Sequence, residues 1–231
     1  MSNVLVIAAH PDDEVLGCGG AIARHTAHGD RVHVVIMSEG VTSRSLGDEG
    51  VSPFTVEVEI NNLRDATKKA QEILRVDQVD NCGFPDNEMD KESLITITKS
   101  IESVIRAFQP DTVYTHHYGD LNIDHRLTHQ AVITACRPTV DCRVREILGF
   151  EVPSSTEWQT PSPYTSFCPN VFIDVTEFWR DKMKALQAYD CEMRESPHSR
   201  SYRAVECLMR WRGETVGVEM AEAFSLIRKI T

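Results

Sequence analysis

Near the start of the chain, His10-Pro11-Asp12-Asp13 sets an imidazole and two carboxylates into one turn, directly after the apolar run at 3–9. A second polar group, HHYGDLNIDH at 116–125, follows another short apolar run at 111–115. Histidine and carboxylate donors suit zinc or another borderline divalent metal. A histidine and an aspartate three positions later converge on one ion when a turn folds between them, and Pro11 restrains such a turn. His10 and Asp13 have that spacing, and His125, at the mouth of the helix after the second group, is the expected third ligand. Three protein ligands leave one position open, which marks a catalytic rather than a structural site. Asp12 cannot easily share an ion with its neighbour Asp13, so it is expected to act as base on water held at the open position.

Other readings of these residues stay open at this level. An Asp-Asp-Glu run after a strand can simply cap a helix and meet its dipole. Asp124 can orient a site histidine from behind or serve as a helix N-cap. His129, one turn beyond His125, can be a fourth ligand or a packed histidine, and His116 and His117 can line the site or close their strand. The glycines of GCGG at 17–20 lack the spacing of a dinucleotide loop, and close helix–strand packing accounts for them as well.

The elements that must position these groups alternate along the chain. Strands are expected at 3–9, 30–38, 111–117, 144–152 and 170–175. Helices are expected at 14–29, 56–76, 92–109, 126–137 and 202–212, with a further one after Thr176, as N-cap, to about Cys191. The segments 39–56, 81–90 and 154–169 read as loops, and 221–230 closes the chain. Strands alternating with helices predict one α/β domain over residues 1–231 with a mostly parallel sheet. Sites in such sheets gather beyond the carboxyl ends of the strands, so both polar groups fall on the same edge.

With 35 acidic against 24 basic residues, the chain of 231 carries a formal net charge of −11. That disfavours nucleic acid or an anionic membrane as the main partner. Seven cysteines without a CxxC pair read as reduced thiols of a cytoplasmic protein. No secretory leader and no membrane span are expected.

The stretch AHPDDEVLGCGG, together with the later Asp-His pair in GDLNIDHRLTHQAV, resembles the PIG-L/LmbE-like deacetylases, metal-dependent enzymes that remove N-acyl groups from amino sugars. The likeness runs over nearly the whole chain. LRDATKKAQEIL is similar to the family's arginine-bearing helix, GFPDNEMD to its aspartate loop, and SPHSR with AEAF to the ending of many bacterial members. It implies a Rossmann-like three-layer sandwich, His10, Asp13 and His125 as ligands of Zn2+ (Fe2+ being the alternative), Asp12 as general base, and a homo-oligomer. It also implies Arg64 and Asp86 as residues that hold the sugar. One departure is Asn122, where relatives often carry a histidine; asparagine can donate a hydrogen bond but cannot be a general acid.

The favoured expectation is a zinc-dependent amidohydrolase acting on an N-acetylglucosamine derivative. Asp12 activates water, and the metal with Asn122 or a nearby histidine holds the oxyanion. In so acidic a chain, Arg64, His198 and Arg200 are expected to face the pocket with Asp86. Two other classes compete. A two-histidine, one-carboxylate iron enzyme commonly carries His-x-Asp on an all-β barrel, unlike the His-x-x-Asp spacing here. A metal- or sugar-binding module without catalysis would have no use for an intact Asp12.

Overall fold

The computed structural model describes residues 1–41 and 53–231. Most of the expected 39–56 loop lies outside the described residues. Strand β1 (Asn3–Ala8) is followed by α1 (Asp13–Ala27), β2 (Arg31–Ser38), α2 (Pro53–Leu74) and β3 (Gln78–Phe84). Next come α3 (Leu94–Phe108), β4 (Thr112–His116), α4 (Ile123–Ala135) and β5 (Glu146–Phe150). The chain ends with β6 (Val171–Asp174), α5 (Trp179–Ala188), α6 (Tyr202–Glu214) and β7 (Ala221–Lys229).

Among the described residues the strands form one seven-stranded sheet in the order β3-β2-β1-β4-β5-β7-β6. Strands β1 to β5 pair in parallel, whereas β7 runs antiparallel to both β5 and β6. The apolar run of β1 is explained by burial on both faces. Val4 and Val6 pack with residues of α1, α2, α5 and α6, while Leu5 and Ile7 pack with α3 and α4. The result is the expected three-layer α/β sandwich. Strand order reverses between β1 and β4, which lie side by side with Val4 opposite Thr112. The carboxyl ends of these two strands therefore flank the switch-point crevice where such sheets hold their sites.

Three details differ from the sequence expectation. Residues 78–84, read partly as loop, form the edge strand β3; its polar, mostly exposed residues hide the strand pattern. The helix expected after Thr176 starts only at Trp179, and the Thr176 hydroxyl accepts the Met220 N–H instead of capping it. The closing segment, 221–229, is strand β7.

Helix α1 is broken at Cys18, whose φ of −147° and ψ of 23° are non-helical. A break frees backbone groups that must find partners. Lys182 Nζ donates to Leu16 O at 2.8 Å, and Glu222 accepts from Gly20 N and Ala21 N at 2.9 and 2.7 Å. The two side chains pair with each other at 2.6 Å. The flanking glycines serve packing: a Cβ on Gly17 would overlap the Phe150 ring, and one on Gly20 would come within 2.8 Å of Val175 Cγ1.

Candidate active site

The first half of the site is the turn between β1 and α1. Asp13 N donates to His10 O at 3.3 Å, and His10 N donates to Asp13 Oδ2 at 2.9 Å. Asp12 sits between them at φ +99°, a left-handed conformation that costs an L-residue of order 1–3 kcal/mol. It occupies the N-cap position of α1, and its carbonyl accepts from Val15 N and Leu16 N at 3.0 and 2.8 Å. Its side chain makes no capping bond. The carboxylate instead meets Arg200 Nη1 at 2.9 Å. Simple capping therefore does not account for Asp12.

The second half is the entry to α4. Asn122 is the N-cap: its Oδ1 accepts from Asp124 N at 2.8 Å and His125 N at 3.4 Å, and its Nδ2 donates to Asn87 Oδ1 at 2.7 Å. The cap thus fixes the two residues after it, and Asp124 is not the cap. Asp124 accepts from Asn87 N and Met89 N at 2.7 and 3.1 Å and lies 3.2 Å from His10 Nε2. Asp86 Oδ1 is 3.3 Å from the same nitrogen. Asp124 thus orients His10 rather than its neighbour.

His10 Nδ1, Asp13 Oδ2 and His125 Nε2 form a triangle with sides of 3.2, 3.2 and 3.1 Å. Ligand bonds of about 2.0–2.2 Å at tetrahedral angles place donors roughly 3.3–3.6 Å apart, so the triangle is close to one face of such a shell. Two ring nitrogens facing each other at 3.2 Å need a cation or a proton between them. Asp13 Oδ1 is buried without a hydrogen-bond partner among the described residues. Two imidazoles and a carboxylate match zinc or iron(II) in donor chemistry, so the residues present fit a divalent ion.

Electrostatics point the same way. Burial opposes a charge on His10, but its bonds to Asp124 and Asp13 outweigh that and raise its pKa to about 10. Burial likewise opposes a charged His125, which Asp13 and Asp120 raise to about 9. The pocket favours positive charge at the donor triangle. Burial also pushes Asp12 up to about 7, against the pull of Arg200.

Two buried acids beside these turns escaped the sequence reading. Asp120 Oδ1 lies 3.1 Å from His125 Nδ1 and holds that ring from behind. Asp120 itself accepts from the Ser155 hydroxyl, from Thr156 Oγ1 at 2.6 Å and from Asn122 N at 2.9 Å. Only the Asp-x-Asn turn just before the cap hinted at it. Glu14, read as part of an acidic run, is fully buried and accepts the Asp12 N–H at 3.1 Å. Among the histidines left open, His116 stacks on His125 with centroids 3.9 Å apart and accepts from Ala9 N at 2.8 Å. His117 donates to Thr165 O and His129 to His116 O, at 2.9 and 2.8 Å, so both are packed rather than ligating.

A cavity of about 130 Å³ opens over the triangle. Its lining is polar almost throughout: His10, Asp12, Asp13, Asp86, Asn87, Asn122, His125, Ser154, Ser155, Glu192 and Arg200, with Pro11 and Gly40. Asp86 and Arg200 line this cavity. Arg64 and His198 are not among these residues. Leu63, Ala66, Thr67 and Ala70 are the buried face of α2, and Arg64 falls on its exposed side. His198 stands behind Arg200, with its Nδ1 accepting the Arg200 N–H at 3.0 Å and its ring edge-on to Trp158.

Sheet topology and donor triangle together define a Rossmann-like α/β protein with a candidate metal centre at its switch point. Residues 5–136 match the PIG-L family, described as GlcNAc-PI de-N-acetylase, and the chain belongs to that family. It is 30% identical over 193 residues to a protein of Escherichia coli K12 described as "Uncharacterized deacetylase YaiS", covering 81% of this chain and 90% of that one. It is 29% identical over 199 residues to 4-oxalmesaconate hydratase of Pseudomonas putida, covering 80% and 72% of the two chains. The fold superposes on N,N'-diacetylchitobiose deacetylase from Pyrococcus horikoshii with a TM-score of 0.76 at 21% identity, over 98% of this chain and 84% of that one. The α/β fold and the family set aside an all-β iron oxygenase.

Proposed function

We propose that this chain is a metal-dependent hydrolase that removes an N-acetyl group from an amino sugar of the N-acetylglucosamine class. The observation that carries the reading is the division of labour between neighbours: Asp13 belongs to the donor triangle, while Asp12 points away from capping and toward Arg200. Membership of a de-N-acetylase family supports the choice of bond. A binding module would not need a strained, buried carboxylate beside its metal site.

His10, Asp13 and His125 would hold a divalent ion, zinc in our reading, and the ion would supply Lewis acidity toward the amide carbonyl. Asp12 takes the proton of the attacking water and returns it to the departing amine. Arg200 fixes the Asp12 carboxylate through its Nη1 while its Nε rests on Ser154 Oγ at 2.8 Å. Asn122 gives one amide N–H to Asn87 and offers the other to the developing oxyanion. Asp124 and Asp120 hold the two histidines from behind. Asp86, Asn87, Ser154 and Glu192 present the hydrogen-bonding groups that a ring bearing several hydroxyls needs. Arg64 and His198 lie outside the described lining.

The test is a panel of N-acetylated amino sugars scored for acetate and free amine, with and without chelator. Chelator-sensitive acetate release is expected. The similarity to a hydratase makes an unsaturated oxo acid the control substrate, and water addition to it without any acetate release would overturn the reading. All seven cysteines are free, which supports the cytoplasmic setting expected for the chain. No described helix is long and apolar enough to cross a membrane. One sheet built from residues 3 to 229 supports a single domain. The homo-oligomer stays part of the proposal, to be checked by light scattering.

A further inference from the structure

We propose that Glu14 is a positioning residue, whose buried carboxyl group clamps the backbone N–H of Asp12 and so aims the Asp12 side chain into the cavity. The proposal rests on the reading of Asp12 as the base. Glu14 Oε2 accepts the Asp12 N–H at 3.1 Å. Its other oxygen accepts from Gln71 Nε2 of α2 at 2.6 Å and from Tyr189 Oη, just past α5, at 2.8 Å. All three side chains are buried. Gln71 and Tyr189 thus anchor one oxygen while the other reaches back to the turn at Asp12.

The turn needs such an anchor. Asp12 sits at φ +99°, a conformation that L-residues keep only where their surroundings impose it. With the Asp12 N–H unpartnered, the peptide can rotate toward an ordinary conformation. That rotation would carry the carboxylate away from Arg200 Nη1, now 2.9 Å distant.

Glu14→Gln isolates the clamp. The amide offers one acceptor oxygen where the carboxyl group offers two, so the Asp12 N–H, Gln71 Nε2 and Tyr189 Oη compete for it. The variant fills the same volume. It should keep one divalent ion per chain and KM within about twofold, while kcat falls roughly 10–100-fold, the scale of a small misplacement of a catalytic group. Amide exchange in a peptide covering residues 8–16 should accelerate at the same time. Lys182→Met, which breaks a buried pair away from Asp12, serves as the packing control: its melting temperature should fall while kcat stays within about twofold. The proposal is overturned if Glu14→Gln exchanges at the wild-type rate, if it exchanges faster yet keeps kcat, or if Lys182→Met loses kcat to the same extent. Failure of the deacetylase reading would show separately, as wild-type protein that releases no acetate, and the exchange comparison would still decide the clamp.

Discussion

Arg200 Nη1 lies 2.9 Å from Asp12 Oδ2, so a residue late in the chain closes onto the turn after β1. The same guanidinium reaches Ser154 Oγ through Nε at 2.8 Å. A planar fork can serve both partners at once, whereas an ammonium is a single point charge. Arg200→Lys should therefore lower kcat/KM by roughly 10–100-fold, the scale set by a misplaced reacting group. Its metal content should match wild type. Wild-type kinetics in that variant would remove Arg200 from the machinery.

Asp120 offers a test of the histidine supports. It holds His125 Nδ1 at 3.1 Å without facing the cavity. Partners of this kind tune ligand orientation, and losing one typically costs about 10–100-fold in metal affinity. Asp120→Asn should show that loss in a competition titration against a chromogenic chelator. Unchanged affinity would mean that the cap at Asn122 alone places His125.

The buried pair at the break in α1 predicts a stability effect. Lys182 and Glu222 are 2.6 Å apart, and each also satisfies α1 backbone groups. Removing one partner leaves a buried charge alone, which costs about 3–5 kcal/mol. For a chain of this size each kcal/mol moves Tm by roughly 2–4 °C. Lys182→Met should accordingly melt about 6–20 °C below wild type by calorimetry. A shift under about 2 °C would show that the pair is dispensable.

The parts of this architecture that were legible in the sequence are those that carry a local pattern. The apolar run of β1 and the polar turn after it announce both a buried strand and a site at its end, and His10, Asp12, Asp13 and His125 follow from residue type and spacing. Groups that act across the chain left no such trace. Nothing near Glu14 in sequence says that Gln71 and Tyr189 will hold it, and the Asp-x-Asn turn at Asp120 does not say that His125 will rest on that carboxylate. Arg64 is pointed to by its likeness to relatives, whereas Leu63, Ala66 and Ala70 form the buried face of its helix and Arg64 lies on the exposed side. Strand β3 was hidden because an edge strand rich in Asp, Asn and Gln has no apolar face to display.

The central claim is that adjacent aspartates do different work, Asp13 holding the metal and Asp12 moving the proton. The direct measurement is kcat for acetate release together with metal per chain, for Asp12→Asn and Asp13→Ala side by side. Asp12→Asn keeps the shape and removes the proton acceptor. It should retain one ion per chain and lose about 10²–10⁴-fold in kcat, the usual worth of a general base. Asp13→Ala should lose the ion and the activity together. Near-wild-type kcat in metal-loaded Asp12→Asn would contradict the account, and loss of the ion from that variant would mean the two aspartates have been assigned the wrong way round.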